Sequence, residues 1–460
     1  MSVSRPPLAS AEPWPWRRAL AWLVFLAPFF FITYGFANWS AAQRAYVPSL
    51  VFAWETAIPF WAWTIVPYWS IDALYGVSLL VCMTRRELDT HARRLLTAQA
   101  VAFTCFVLVP LRFTFTQPDA DGVYGWMFAA LAGFDQPFNQ LPSLHIALAV
   151  ILWALYVRRL SGIARLVMEG WFLLICGSVL TTYQHHFIDI PTGLLLGALC
   201  LWAWPLDDEG DGRAMAAQFH WTRDRQRWRL AALYAAGALL LALIAMALGG
   251  WALWLLWGSV SLLLVALAYA AIGAATFQKR ADGRLSVAAR WLLAPYRAAA
   301  WLNSRAWTWR HQQPVPVADG VYLGRIPSAR ELAALPVKGV VDLTAEFASP
   351  PGDRECVAIP VLDLTVPPAA ALGQAAEAIE RLRAGGPVLV CCALGRARSA
   401  CAVAAWLLAS GRSANVASAV ASLRATRAVV MLGDGHAAAL HALVGARSTH
   451  PAGAGAAGSQ

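Results

Sequence analysis

Cys392 and Arg398 are separated by five residues in Cys392-Ala-Leu-Gly-Arg-Ala-Arg398-Ser399, between the apolar run Val388-Leu389-Val390-Cys391 and a stretch that reads as a helix. A short loop from a strand into a helix turns successive backbone N–H groups inward and makes an anion cradle at the helix N-terminus. Gly395 allows the turn without a Cβ clash. Arg398 closes the ring and can grip two phosphate oxygens at once. The same positive field favours the thiolate of Cys392, a strong nucleophile. Ser399 can hydrogen-bond the sulfur and ease breakdown of a phospho-enzyme. Arg396 puts a second cation within the loop, suited to a polyanionic headgroup.

On these residues, roughly 314–447 resemble the dual-specificity branch of the protein tyrosine phosphatase superfamily. The resemblance implies Cys392 as nucleophile, Arg398 as phosphate clamp and a general acid about 30 residues upstream. Asp363, in Ile359-Pro-Val-Leu-Asp-Leu-Thr-Val-Pro367, occupies that place and is expected to protonate the leaving oxygen. Asp342, nearer a strand, reads as structural. That family usually has a His before the nucleophile, and this chain has Cys391. Cys391 reads as a small buried strand residue, although adjacent thiols also invite a redox switch.

A second constellation lies far upstream. Pro142-Ser-Leu-His145 opens one apolar run, and His185, His186 and Asp189 open another, with Arg112 ending a third. Asp189 follows His185 by four residues, which puts the two on one helical face. Two converging histidines, one oriented by a carboxylate, can supply a nucleophile and a proton donor. The arrangement resembles the type 2 phosphatidic acid phosphatase superfamily, whose six-helix core corresponds to about residues 19–205. The resemblance implies His185 as nucleophile, Asp189 as its orienting partner, His145 as general acid, and Arg112 and Ser143 as phosphate contacts. Gly193 also fits and suits close helix packing.

Two positions depart from that family. Cys105 stands where it often has a Lys, and Val179 follows Ser178 where it often has an Arg. The Pro-Ser-Leu-His and Gln-His-His-x-x-Asp forms are closer to the branch containing inositol phosphorylceramide synthases. Hydrolysis, headgroup transfer between lipids and an inactive anchoring bundle all remain open for this site.

The elements that must carry these residues follow from composition. Of 460 residues 59% are hydrophobic and 13% charged, with 23 tryptophans, whereas a soluble protein carries about a quarter charged. Eight spans are expected, at approximately 19–38, 61–84, 95–112, 144–158, 163–183, 188–205, 230–249 and 251–275. Residues 47–60, with Glu55 and Pro59, read as an interfacial lead-in. The net charge of +10 comes from Arg clusters between apolar runs, a topology signal and not a nucleic-acid footprint. Arg17 and Arg18, Arg85 to Arg94, Arg158 to Arg165, Arg223 to Arg229 and Lys279 to Arg284 alternate with poorly charged loops. This places the N-terminus and everything after residue 276 on the cytoplasmic side of a bacterial-type inner membrane. Residues 285–313 read as an amphipathic, Trp- and Arg-rich membrane-surface linker. From 314 the pattern becomes soluble α/β, with strands at 340–343 and 388–391 and helices at 371–382 and 399–409. The tail 448–460 is Gly/Ala-rich and expected to be disordered. No cysteine spacing suggests zinc or a disulfide framework.

The expected architecture is therefore a polytopic helical membrane bundle plus a soluble cysteine-phosphatase domain: 1–205 the six-span part, 206–284 two further spans, 285–313 the linker, 314–447 the phosphatase. The expected function is a bifunctional lipid phosphatase with sites on opposite faces of the bilayer. It needs no cofactor or metal, and its partners are membrane lipids. A membrane-anchored protein tyrosine or dual-specificity phosphatase acting on phosphoproteins is the alternative.

Overall fold

The computed structural model describes residues 13–133, 135–206, 215–350 and 352–449, so the tail expected to be disordered lies almost wholly outside them. The chain divides into two compact units. One is built on residues up to Ala217 with Ala245–Trp254, the other on Gln218–Ile244 with residues from Leu255 onward.

The first unit is helical: α1 (Trp16–Ala42), α2 (Ile65–Val81), α3 (Arg85–Leu108), α4 (Gly122–Ala132), α5 (Leu144–Tyr156), α6 (Gly162–Thr181) and α7 (Asp189–Ala203). α5 is apolar almost all round and sits in the middle. Its Ala147, Ile151 and Leu155 pack with Leu88 and Leu95 of α3 and Ile71 and Leu79 of α2. α7 approaches α5 closely because Gly193 and Gly197 face it. A Cβ on Gly193 would lie 2.6 Å from the Ser143 carbonyl oxygen, and one on Gly197 2.6 Å from Val150 Cβ. That approach sets the beginning of α7, with Asp189, beside the beginning of α5, with Ser143.

Helices stand at all the expected places, α8 (Arg225–Leu248) and α9 (Leu255–Leu267) being the last two. Among the described residues five segments are long and apolar enough to cross a membrane: Trp16–Ala42, Ala62–Val81, Gly162–Thr181, Arg225–Leu248 and Gly250–Phe277. The other three differ from expectation. α3 starts ten residues earlier than the apolar run, because Thr84 caps it by accepting from the Glu87 N–H. α5 and α7 have 13 and 15 residues, and α5 is walled by neighbouring helices. Helix α4 was not expected.

In the second unit the linker forms α10 (Val287–Leu292) and α11 (Ala294–Trp307). Five strands follow: β1 (Val315–Ala318), β2 (Val321–Arg325), β3 (Gly339–Thr344), β4 (Glu355–Val361) and β5 (Val388–Cys392), ordered β1-β2-β5-β3-β4. Only β1 runs antiparallel. β5 is central and wholly buried, hence its unbroken apolar sequence. One sheet face carries α13 (Ala369–Arg383), α14 (Arg398–Ala409), α15 (Val416–Thr426) and α16 (Asp434–Thr449). The other carries the short α12 (Ala329–Ala333) and Trp301 of α11.

Residues 285–313 pack partly on the phosphatase domain. Ser304 is buried, and Trp301 packs edge-on against Phe347, while Trp291, Trp307 and Trp309 stay exposed. Lys279, counted above as a topology charge, is fully buried. Its Nζ lies 2.6 Å from Asp342 Oδ2 and donates to the carbonyl and hydroxyl of Thr344. Asp342 is thus structural, as expected. Removing one partner of such a pair strands the other charge without water. Lys279→Met is expected to lower the unfolding free energy by about 3–5 kcal/mol. The reading is the thermal midpoint of the full chain in detergent, and an unchanged midpoint contradicts this role.

Candidate functional site

At the end of β5 the alternation of a strand sends neighbouring side chains to opposite faces. Cys392 joins the core under α13 and α14, whereas Cys391 joins the core under α12. Burial, with the Asp342 carboxylate next, pushes the Cys391 thiol well above the ordinary thiol range, so it stays protonated. Opposite faces and full burial fit the packed-strand reading of Cys391.

The loop after Cys392 is fixed from outside by its carbonyls. Ile326 N–H donates to the Cys392 carbonyl (2.7 Å), Ser304 Oγ to that of Ala393 (2.7 Å) and Met431 N–H to that of Arg396 (2.9 Å). In a trans peptide the next N–H points the opposite way, so the N–H groups of Ala393, Leu394 and Ala397 are aimed inward. Gly395 has φ +67°, and a Cβ there would come within 2.4 Å of the Gly324 carbonyl carbon. Only glycine fits that place. Ser399 Oγ donates to Cys392 Sγ at 3.1 Å.

Arg398 begins α14 and is 2% exposed. Its Nη1 donates to Glu346 Oε2 (3.0 Å) and to the Val361 carbonyl (2.8 Å), and Nη2 donates to Glu346 Oε1 (2.7 Å). Asp363 Oδ1 lies 2.9 Å from the same Nη2, with its side chain about one-third exposed at 37%. Burial disfavours the guanidinium charge, but Asp363 and Glu346 outweigh it, so Arg398 stays charged. Cys392, Ser399, Arg398 and Asp363 are thus brought together. Glu346, just after β3, escaped sequence reasoning; the signal was that a buried Arg needs a buried carboxylate. Arg427 was also missed. It is buried, donates to the carbonyls of His311 and Gln313, and lies within electrostatic reach of Cys392.

Arg396 turns toward the end of α11. Its Nη2 donates to the Trp307 carbonyl (2.8 Å) and its guanidinium carbon stands 5.8 Å from the centre of the Trp307 ring. The side chain is engaged by the end of α11.

The upstream constellation lies wholly within the first unit. His185 Nδ1 is 3.1 Å from Asp189 Oδ2, and Nε2 is 3.3 Å from Ser143 Oγ. Asp189 Oδ2 also accepts from the His186 N–H. The carboxylate fixes one ring nitrogen and leaves the other toward Ser143. His145 stacks on Tyr68 with ring centres 4.0 Å apart, and its Nε2 lies 2.9 Å from the Tyr68 carbonyl. His145 and His185 line one cavity of about 420 Å³, shared with Phe30, Phe31 and two carboxylates, Asp72 and Asp135. Arg112 lines an adjoining cavity of about 300 Å³ with His185 and the amides of Gln117, Gln140 and Gln184. Glu55 is buried and accepts from His186 (Nδ1 at 3.0 Å) and from the backbone N–H groups of Phe52 and Phe187. His186 is therefore an anchor for the turn before α7. Glu55 was a legible signal, since a carboxylate in an apolar stretch needs a partner.

Residues 321–444 match the family described as "Dual specificity phosphatase, catalytic domain". Solved structures similar to part of this chain include human DUSP28, 28% identical over 29% of this chain and 98% of that chain, TM-score 0.27. Tk-PTP in its active form is 26% identical over 28% of this chain and 95% of that chain, TM-score 0.26. PTPMT1 is 23% identical over 30% of this chain and 99% of that chain, TM-score 0.27. No curated protein matches the sequence. The C-terminal region is a dual-specificity phosphatase domain, which implies hydrolysis of phosphoric monoesters.

Proposed function

We propose that the chain is a membrane-bound phosphatase for lipid-linked phosphates, with the Cys392 site on the cytoplasmic side and a His185 site on the opposite face. One observation carries the lipid reading: the Cys392 loop belongs to the same compact unit as most of the apolar helices α8 and α9. Its Ala393 carbonyl is held by Ser304 of α11, whose end presents exposed Trp307 with Trp309 just beyond. Such a domain works at a bilayer surface, where phosphorylated headgroups are concentrated.

At this site the Cys392 thiolate attacks phosphorus from within the cradle. Arg398 holds two phosphoryl oxygens, and Asp363 gives its proton to the departing alcohol. Water then breaks the S–P bond while Ser399 hydrogen-bonds the departing sulfur.

At the His185 site a second reading is favoured by the lining. Among the described residues of the smaller cavity Arg112 is the one cation, beside neutral amides and Asp135. A free phosphomonoester dianion would meet little positive charge there, whereas a phosphodiester headgroup in transfer needs less.

Headgroup-resolved lipid analysis after overexpression tests the proposal. Wild type is expected to deplete a phosphomonoester lipid. Cys392→Ser abolishes that depletion, while His185→Ala leaves it and removes a separate lipid change. Cys392→Ser and His185→Ala lipid profiles both identical to wild type sink the proposal.

A further inference from the structure

The general-acid turn is attached to the apolar hairpin by two hydrogen bonds. Tyr269, in the helical turn continuing α9, donates its hydroxyl to the Asp363 carbonyl at 2.9 Å. Gln226, in the first turn of α8, donates Nε2 to the Leu364 carbonyl at 3.1 Å. Leu364 has φ +54°, a left-handed conformation that a leucine does not hold unaided. Thr365 Oγ1 caps the same turn by donating to the Leu362 carbonyl at 2.8 Å. The turn therefore stands with Asp363 against Arg398, and donors more than ninety residues away in sequence hold its two central carbonyls. Tyr269 is itself held: it stacks on Tyr234 of α8 at 5.5 Å, and Tyr234 meets Tyr296 of α11 edge-on at 5.8 Å.

We infer that Tyr269 and Gln226 are positioning residues for the general acid, so that the phosphatase site is completed by the apolar hairpin. This rests on the cysteine-phosphatase reading of the site. The step concerned is the first: the S–P bond forms from the Cys392 electron pair, the P–O ester bond breaks, and the Asp363 proton passes to the leaving oxygen. Proton donation matters little for a leaving group that is stable as an anion and greatly for one that is not. A loosened turn therefore penalises poor leaving groups selectively. A general fault in folding penalises all alike.

The test uses the full chain in detergent with p-nitrophenyl phosphate (a good leaving group) and phenyl phosphate (a poor one). The reading is the ratio of kcat/KM for phenyl to nitrophenyl phosphate. Tyr269→Phe and, at an exposed position, Gln226→Ala are each expected to lower that ratio about tenfold, part of the roughly 10²–10⁴-fold a general acid supplies. On an Asp363→Asn background neither substitution should lower it further, since the group being positioned is gone. An unchanged ratio in both single variants, or an equal further drop on the Asp363→Asn background, overturns the inference. Failure of the underlying reading shows separately, as p-nitrophenyl phosphate hydrolysis that a His185→Ala chain keeps when Cys392→Ser is added.

Discussion

Replacing Cys392 by serine is expected to lower phosphate release at the dual-specificity site by about 10⁴-fold or more, with the fold intact. The size follows from chemistry. A serine hydroxyl remains protonated in the field that favours a thiolate, so the attacking electron pair is lost. The cradle is not: the carbonyls of Cys392, Ala393 and Arg396 are held by backbone groups and Ser304, none of which involves the sulfur. Substrate should therefore still bind, and the variant should act as a trap. Thermal midpoint and substrate retention are measured beside activity. Loss of activity together with a collapsed midpoint contradicts this account, as does residual activity near wild type.

Arg398→Lys is the second large effect, about 10²–10³-fold in kcat. Charge is kept, so a purely coulombic role predicts little change. Geometry is lost. The guanidinium places donors on both oxygens of Glu346 and on the Val361 carbonyl, with Asp363 Oδ1 2.9 Å from Nη2. A lysine Nζ has three donors and no fork, so it cannot hold Glu346 and a phosphoryl group in one plane. Steady-state kinetics on p-nitrophenyl phosphate reads the effect. A change confined to KM contradicts it, because transition-state contacts should register in kcat.

What was legible followed from local chemistry. The Cys392–Arg398 spacing, Gly395 and Ser399 are set by the loop that must surround one anion, so they read directly. Asp363 was reachable through its Pro-flanked stretch. His185 and Asp189 were readable as a pair from their spacing, but they meet across the turn that precedes α7 and not on one helical face. The partners supplied across the fold were hidden. Glu346, Tyr269 and Gln226 meet Arg398 and the Asp363 turn only after distant segments pack, and nothing in their own neighbourhood marks them. The contact of Arg396 with Trp307 was not legible either, because a place inside the loop says nothing about where a long side chain goes. Lys279 misled: in an Arg-rich stretch it looks like a topology charge, yet the sheet buries it against Asp342. Helix lengths slipped where caps such as Thr84 extend a helix beyond its apolar run.

The central claim, that the Cys392 site acts on lipid-linked phosphate at a bilayer surface, is tested most directly by phosphate release from competing substrates. The full chain is reconstituted in vesicles containing a phosphomonoester lipid, with phosphotyrosine and phosphoserine peptides in solution at matched concentration. Release from the lipid, abolished by Cys392→Ser and exceeding release from the peptides, is the predicted result. Strong peptide turnover with no lipid turnover contradicts the claim and identifies a membrane-anchored protein phosphatase instead.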